Sequence, residues 1–179
     1  MTKSKKLLAL TLAMLLLLTM AGCSSEEITE TTAPSTEETM VADEKPTLVV
    51  ERTRAKAGEK QVEITIEVKN NPGILGIDFD LFYDESVMTL VDAQSTLAAD
   101  GYTYTEPAYF RNPTTFLWDS QDATWTQDGV FLKLYFDIAD TAPAGDHEIK
   151  IMYSYGNIFD TDLEAIDIGV KNGHISITQ

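Results

Sequence analysis

The sequence predicts an all-β fold, a nine-stranded antiparallel sandwich or jelly roll. Three observations predict it. From residue 46 onward, nearly every periodic segment has the strand period of two. Turn residues punctuate these segments at short intervals. No segment carries a convincing amphipathic helical stripe.

The elements follow in order. Residues 47–53 open, with Leu48 and Val50 on one side. The turn Lys56-Ala57-Gly58-Glu59 leads into residues 61–69, where Val62, Ile64, Ile66 and Val68 alternate with Glu63, Thr65 and Glu67. Asn71-Pro72-Gly73 is a direction-reversing turn. The third strand, 75–83, follows it with strict alternation. Leu75, Ile77, Phe79, Leu81 and Tyr83 face one way, and Gly76, Asp78, Asp80 and Phe82 the other. Asp84-Glu85-Ser86 turns into residues 88–92. Residues 93–101 are irregular, with room for one helical turn. Residues 102–109 and 114–119 flank Arg111-Asn112-Pro113 as fifth and sixth strands. Gln127-Asp128-Gly129 starts a long strand to Ala139, with Val130, Leu132, Leu134 and Phe136 on one side. Residues 147–155 and 170–178 complete the nine.

The N-terminus reads as export and tether. Lys3, Lys5 and Lys6 precede an apolar run at 7–18, too short for a bilayer, which needs about 20 residues. Met20-Ala21-Gly22-Cys23 resembles a bacterial lipobox, with Met20 in place of the usual leucine. The resemblance implies a signal peptide at 1–22, acylation of Cys23, and a chain held on the extracellular face of the bacterial membrane by lipid. The alternative is an ordinary secretory signal with a chance cysteine. Cys23 is the only cysteine, so no disulfide can staple the fold. The stretch that follows, to residue 45, is Ser/Thr/Glu-rich without apolar periodicity, and cannot bury enough surface to fold. Residues 46–179 are long enough for one domain with its own core.

The formal charge is −16. Removal of residues 1–22 takes away three lysines and no acids, leaving −19. Such a chain repels nucleic acid and anionic headgroups. There is no serine elbow, phosphate loop or paired-histidine metal motif. His147 and His174 lack partner motifs. The expectation is a non-enzyme without a cofactor. Asp160-x-Asp162-x-Glu164, with Asp167, offers closely spaced oxygens for calcium, but no bend glycine comes before Gly169.

The third strand offers more. A face made only for solvation has no need of Phe82. In the sixth strand Phe116 and Trp118 are expected inside, and Thr115, Leu117 and Asp119 outside. Exposed Leu117 and Phe82 ringed by Asp78 and Asp119 describe a small apolar anchor with a polar rim. The plainer reading is a solvated face with scattered apolar residues.

In sequence order, Ala57-Gly58-Glu59 with Val62 and Ile64, Asn71-Pro72-Gly73-Ile74, Gly76-Ile77-Asp78-Phe79, Tyr83-Asp84, Asp128-Gly129-Val130-Phe131 and Asn172-Gly173 together resemble a cohesin domain. The resemblance spans nearly all of residues 47–178. It implies a nine-stranded jelly roll that binds dockerin modules borne on polysaccharide-degrading enzymes, with calcium in the dockerin's EF-hand-like loops. It also implies a binding face on the third, fifth, sixth and eighth strands. The family's outward Asn-x-Asp pair matches Gly76 and Asp78, so the aspartate is kept and the asparagine lost. Its outward leucine matches Leu117, its interface glutamate falls on Ser120, and its fifth-strand tyrosine matches Tyr109. The alternative function is direct polysaccharide binding on exposed rings, for which Tyr102, Tyr104, Tyr109 and Trp125 are candidates. Core or loop packing is the more expected role for each of these rings.

Overall fold

The computed structural model describes residues 44–121 and 124–179. The expected signal peptide, Cys23 and the tether up to residue 43 lie outside the described residues. In chain order the strands are β1 (Thr47–Val50), β2 (Arg52–Lys56), β3 (Val62–Lys69), β4 (Gly76–Phe82), β5 (Met88–Ser95), β6 (Thr103–Thr105), β7 (Thr114–Asp119), β8 (Gly129–Ile138), β9 (Gly145–Met152), β10 (Ile158–Phe159), β11 (Gly169–Lys171) and β12 (Gly173–Thr178). They form two sheets. One has the order β11-β1-β3-β8-β5, and the other β2-β12-β9-β4-β7-β6, with β10 added on the flank of β4. The class is the expected all-β sandwich.

Alternation fills the space between the sheets. Leu48, Ile64, Ile66, Val68, Leu134 and Phe136 come from the first sheet, and Ile77, Phe79, Leu81, Phe116, Trp118, Ile149 and Ile175 from the second, all fully or almost fully buried. Phe79 sits at the centre, its ring centroid 5.8 Å from Phe116, 5.9 Å from Trp118 and 6.3 Å from Phe131. Such offset and edge contacts suit aromatic quadrupoles.

Twelve strands stand where nine are expected, for local reasons. The first expected strand divides at Glu51 because the chain changes sheets there. Its buried residues change phase, from Leu48 and Val50 to Ala55. The last expected strand divides at Asn172 into β11 and β12. Gly173 lies against this crossing, where a Cβ would be 2.0 Å from the carbonyl oxygen of Glu51. The pairing is not wholly antiparallel, because β1–β11 and β2–β12 run parallel. The fifth strand shrinks to β6, since Pro107 has no N–H for a ladder. A register shift lies in the β3–β8 pairing between Ile66 and Glu67. It turns both Phe131 and Leu132 inward and leaves Val130 exposed, against the expected alternation. The irregular stretch after β5 holds one 3₁₀ turn, Leu97–Asp100.

Candidate binding face on the seven-stranded sheet

The third, fifth, sixth and eighth expected strands are β4, β6, β7 and β9. They are contiguous in one sheet, in the order β9-β4-β7-β6. The register places Asp78 opposite Leu117, Asp80 opposite Thr115 and also opposite Met152, and Phe82 opposite Lys150. Directly opposed residues share a face, so these side chains form one outward patch. Asp119 extends it at the far end of β7, opposite Thr103. Leu117 is 38 % and Met152 48 % exposed, while Asp78, Asp80 and Phe82 are partly covered.

Neutral donors hold the two aspartates. Asn157 Nδ2 donates to Asp78 Oδ2 at 3.1 Å, and the Asp78 backbone N–H donates to the Asn157 carbonyl at 2.9 Å. Thr115 Oγ1 donates to Asp80 Oδ1 at 2.6 Å. Partial burial pushes the Asp78 carboxyl above its ordinary value, and the charge of Asp80 adds to the effect. Among the described residues, no lysine, arginine or histidine comes within 4.0 Å of either carboxylate.

Gly76 is corrected. It is not an open interface position but is buried beneath Phe159, its register partner on β10. A Cβ there would lie 2.2 Å from Cζ of the Phe159 ring. The ring occupies the space that the family's asparagine side chain would need. An aromatic laid across a strand glycine in this way recovers contact area that the glycine forgoes. Strand β9 pairs with β4 along Asp80–Phe82, and β10 takes over at Gly76 and Ile77. Between them the chain leaves the sheet at residues 153–157.

Tyr109 is also corrected. It lies in the loop after β6 rather than on a strand, 62 % exposed, with the Arg111 guanidinium 4.1 Å from its ring centroid. Ser120 follows β7 and its Oγ donates to the Gly101 carbonyl at 3.2 Å. Three of the four rings considered for sugar stacking are packed. Tyr102 and Trp125 are each 5 % exposed, and the Trp125 backbone N–H donates to the Tyr102 hydroxyl at 2.8 Å. Tyr104 stacks on Trp118 at 5.0 Å with its hydroxyl buried, and burial pushes that hydroxyl's pKa far up. A coplanar exposed platform is therefore not formed by this set.

In the acidic loop, Asp160 Oδ1 accepts the backbone N–H groups of Asp162 at 2.9 Å and Glu164 at 3.0 Å. Its carboxylate closes the turn. Among the described residues, no three His, Cys, Asp or Glu side chains gather for a metal. His147 Nε2 donates to the Pro143 carbonyl at 2.9 Å, and His174 lies 3.8 Å from Asp146. Neither histidine touches the patch.

Sequence reading missed Met152, Asn157 and Phe159. The alternation of the eighth strand could have placed Met152 beside Asp80. Nothing in the sequence signals that a two-residue strand would carry Phe159 over Gly76.

A family model described as "Cohesin domain" matches residues 46–177. The fold is similar to the seventh ScaB type I cohesin of Pseudobacteroides cellulosolvens, with 22 % identity, TM-score 0.62, and 75 % of this chain and 92 % of that one covered. It is similar to the type I cohesin–dockerin complex of OlpC from Clostridium thermocellum, with 25 % identity, TM-score 0.62, and 74 % and 93 % covered. It also resembles a non-cellulosomal cohesin of the archaeon Archaeoglobus fulgidus, with 18 % identity, TM-score 0.61, and 75 % and 92 % covered. No curated protein matches.

Proposed function

This chain belongs to the cohesin family, and on that premise we propose that it is a non-catalytic module that docks dockerin-bearing proteins on the β9-β4-β7-β6 face. The observation that carries the reading is the register of Asp78 against Leu117 at the middle of that face. An exposed leucine beside a carboxylate with no cation within 4.0 Å among the described residues suits a partner with apolar and basic groups, and opposite charge speeds encounter. The OlpC cohesin, at 25 % identity, is recorded in complex with a dockerin.

The contact set is Asp78, Phe82, Leu117, Asp119 and Met152, with Ser120 and Tyr109 at the margin. Gly76 contributes only through Phe159. Acylation of Cys23 would hold the module on the extracellular face of the membrane. The acidic tether would carry it outward by as much as about 75 Å when extended, at ~3.4 Å per residue. The proteins so held are polysaccharide-degrading enzymes or their scaffolds.

The test is capture from the organism's own secreted proteins on the immobilised full chain, with calcium and with chelator. The reading expects dockerin-bearing proteins to be retained with calcium and released by chelator. If no dockerin-bearing protein is retained at micromolar concentration, dockerin docking is wrong for this chain.

A further inference from the structure

A pocket of about 140 Å³ opens in the docking face where β9 leaves β4. That is several times the ~30 Å³ share of one water, room for a single side chain. Asp78, Asp80 and Phe82 line it from β4, Met152 lines it from the end of β9 opposite Asp80, and Ser154 and Asn157 line it from the segment that follows. Resting on the docking face proposed above, we infer that this pocket receives one long basic side chain, lysine or arginine, from the partner. Its methylene stem lies on Met152 and Phe82, and its cation sits between Asp78 and Asp80.

The pocket's two chemistries select this occupant. Both carboxylates already accept from neutral donors, Asn157 and Thr115, which orient them without neutralising them. Covering them with an apolar side chain would bury charge without a partner, which costs heavily. A serine or threonine hydroxyl would reach one carboxylate and leave the half-exposed Met152 uncovered. A divalent cation needs six to eight oxygens if it is calcium, and two carboxylates with one amide fall short. Lysine and arginine combine an apolar stem with a charged tip.

Among the described residues, no cation of the protein fills the role. Lys150, nearest in register, stands opposite Phe82 and lines a separate pocket with Asp84 and Glu148. The pocket's place also follows from the course of the chain after β9. Because β10 holds Phe159 over Gly76, that end of β4 is closed, and the open part of the face lies toward β9.

The experiment titrates the full chain, carrying Cys23→Ser so that it stays unacylated, with capped lysine, capped arginine and capped norleucine. Backbone amide shifts in nuclear magnetic resonance spectra are the readout. Lysine and arginine are expected to move the amides of Asp78, Asp80, Met152 and Asn157 selectively, norleucine is not, and Asp80→Asn removes the response. Equal shifts with norleucine, shifts spread over remote acids such as Asp119 and Glu148, or no shifts at all would overturn the inference. A second arm uses a dockerin captured as above. Replacing its contacting basic residue by methionine should weaken binding about tenfold to wild type and have no further effect on Asp80→Asn. Equal weakening on both overturns the inference. If no dockerin is captured, the docking reading fails while the capped amino acids still decide the pocket.

Discussion

Gly76→Ala is the most informative single perturbation of this fold. The backbone at Gly76 is not in the left-handed region, so alanine suffers no backbone strain there. In an open strand the change would stabilise, by roughly 0.5–1 kcal/mol, through the entropy that glycine loses on folding. Here the new Cβ falls 2.2, 2.6 and 2.9 Å from three atoms of the Phe159 ring. To regain ordinary contact near 3.4 Å, the ring must swing by more than an ångström. It is a partly buried side chain on a two-residue strand, so it can move, at the loss of its packing. The expected cost is about 1–3 kcal/mol, as for other overpacked sites. In a Phe159→Ala background the obstacle is gone, and Gly76→Ala should be neutral or stabilising. The coupling energy is then about 1–3 kcal/mol, read from urea unfolding of the wild type, both single variants and the double variant. Additivity within about 0.5 kcal/mol would refute the argument that Phe159 is why glycine stands at position 76.

Three further outcomes are expected. Phe79→Ala and Trp118→Ala each remove a fully buried ring from the aromatic cluster and should cost about 3–5 kcal/mol in the same unfolding assay. Partner binding should weaken as pH falls, beginning above 3.8, because Asp78 has its carboxyl raised from that value by burial. A raised acid loses its charge at higher pH than an ordinary aspartate, and affinity measured against pH should lose that part of its slope in Asp78→Asn. Asp128 accepts the backbone N–H groups of Asn70 at 2.9 Å and Asn71 at 2.8 Å, which lowers its pKa. Its contribution is present above the unfolded value near 3.8 and is lost as pH falls through the lower folded value. Asp128→Ala should therefore lower the melting temperature at neutral pH, by about 1 kcal/mol of stability once exposure is discounted, and less in strong acid.

The sequence carried the fold well because period two survives in the strands that matter. On β4 and β7 alternation assigned Ile77, Phe79, Leu81, Phe116 and Trp118 to the core and Asp78, Leu117 and Asp119 to the outside, as the structure has them. Where alternation failed, a local device intervened. The bulge at Phe131 exposed Val130, and Pro107 ended β6 before Tyr109. The split at Glu51 was written in the phase change between Val50 and Ala55, but period alone does not say which sheet a strand joins. The site was legible only along single strands. That Asp78 faces Leu117 is a register, and Phe159 over Gly76 is a contact 83 residues apart in the chain. Such pairings are set by the closing of the sheet, and no local pattern encodes them.

The central claim is that the β9-β4-β7-β6 face is a docking surface rather than a solvated one. Calorimetric titration of a calcium-loaded dockerin into the wild type and into an Asp78→Asn, Leu117→Ala double variant tests it most directly. The expected result is micromolar or tighter binding to the wild type and none to the variant, with melting temperatures matched because surface changes alter stability by only about 0.5 kcal/mol. Undiminished binding to the double variant, or loss of binding in step with loss of melting temperature, would contradict it.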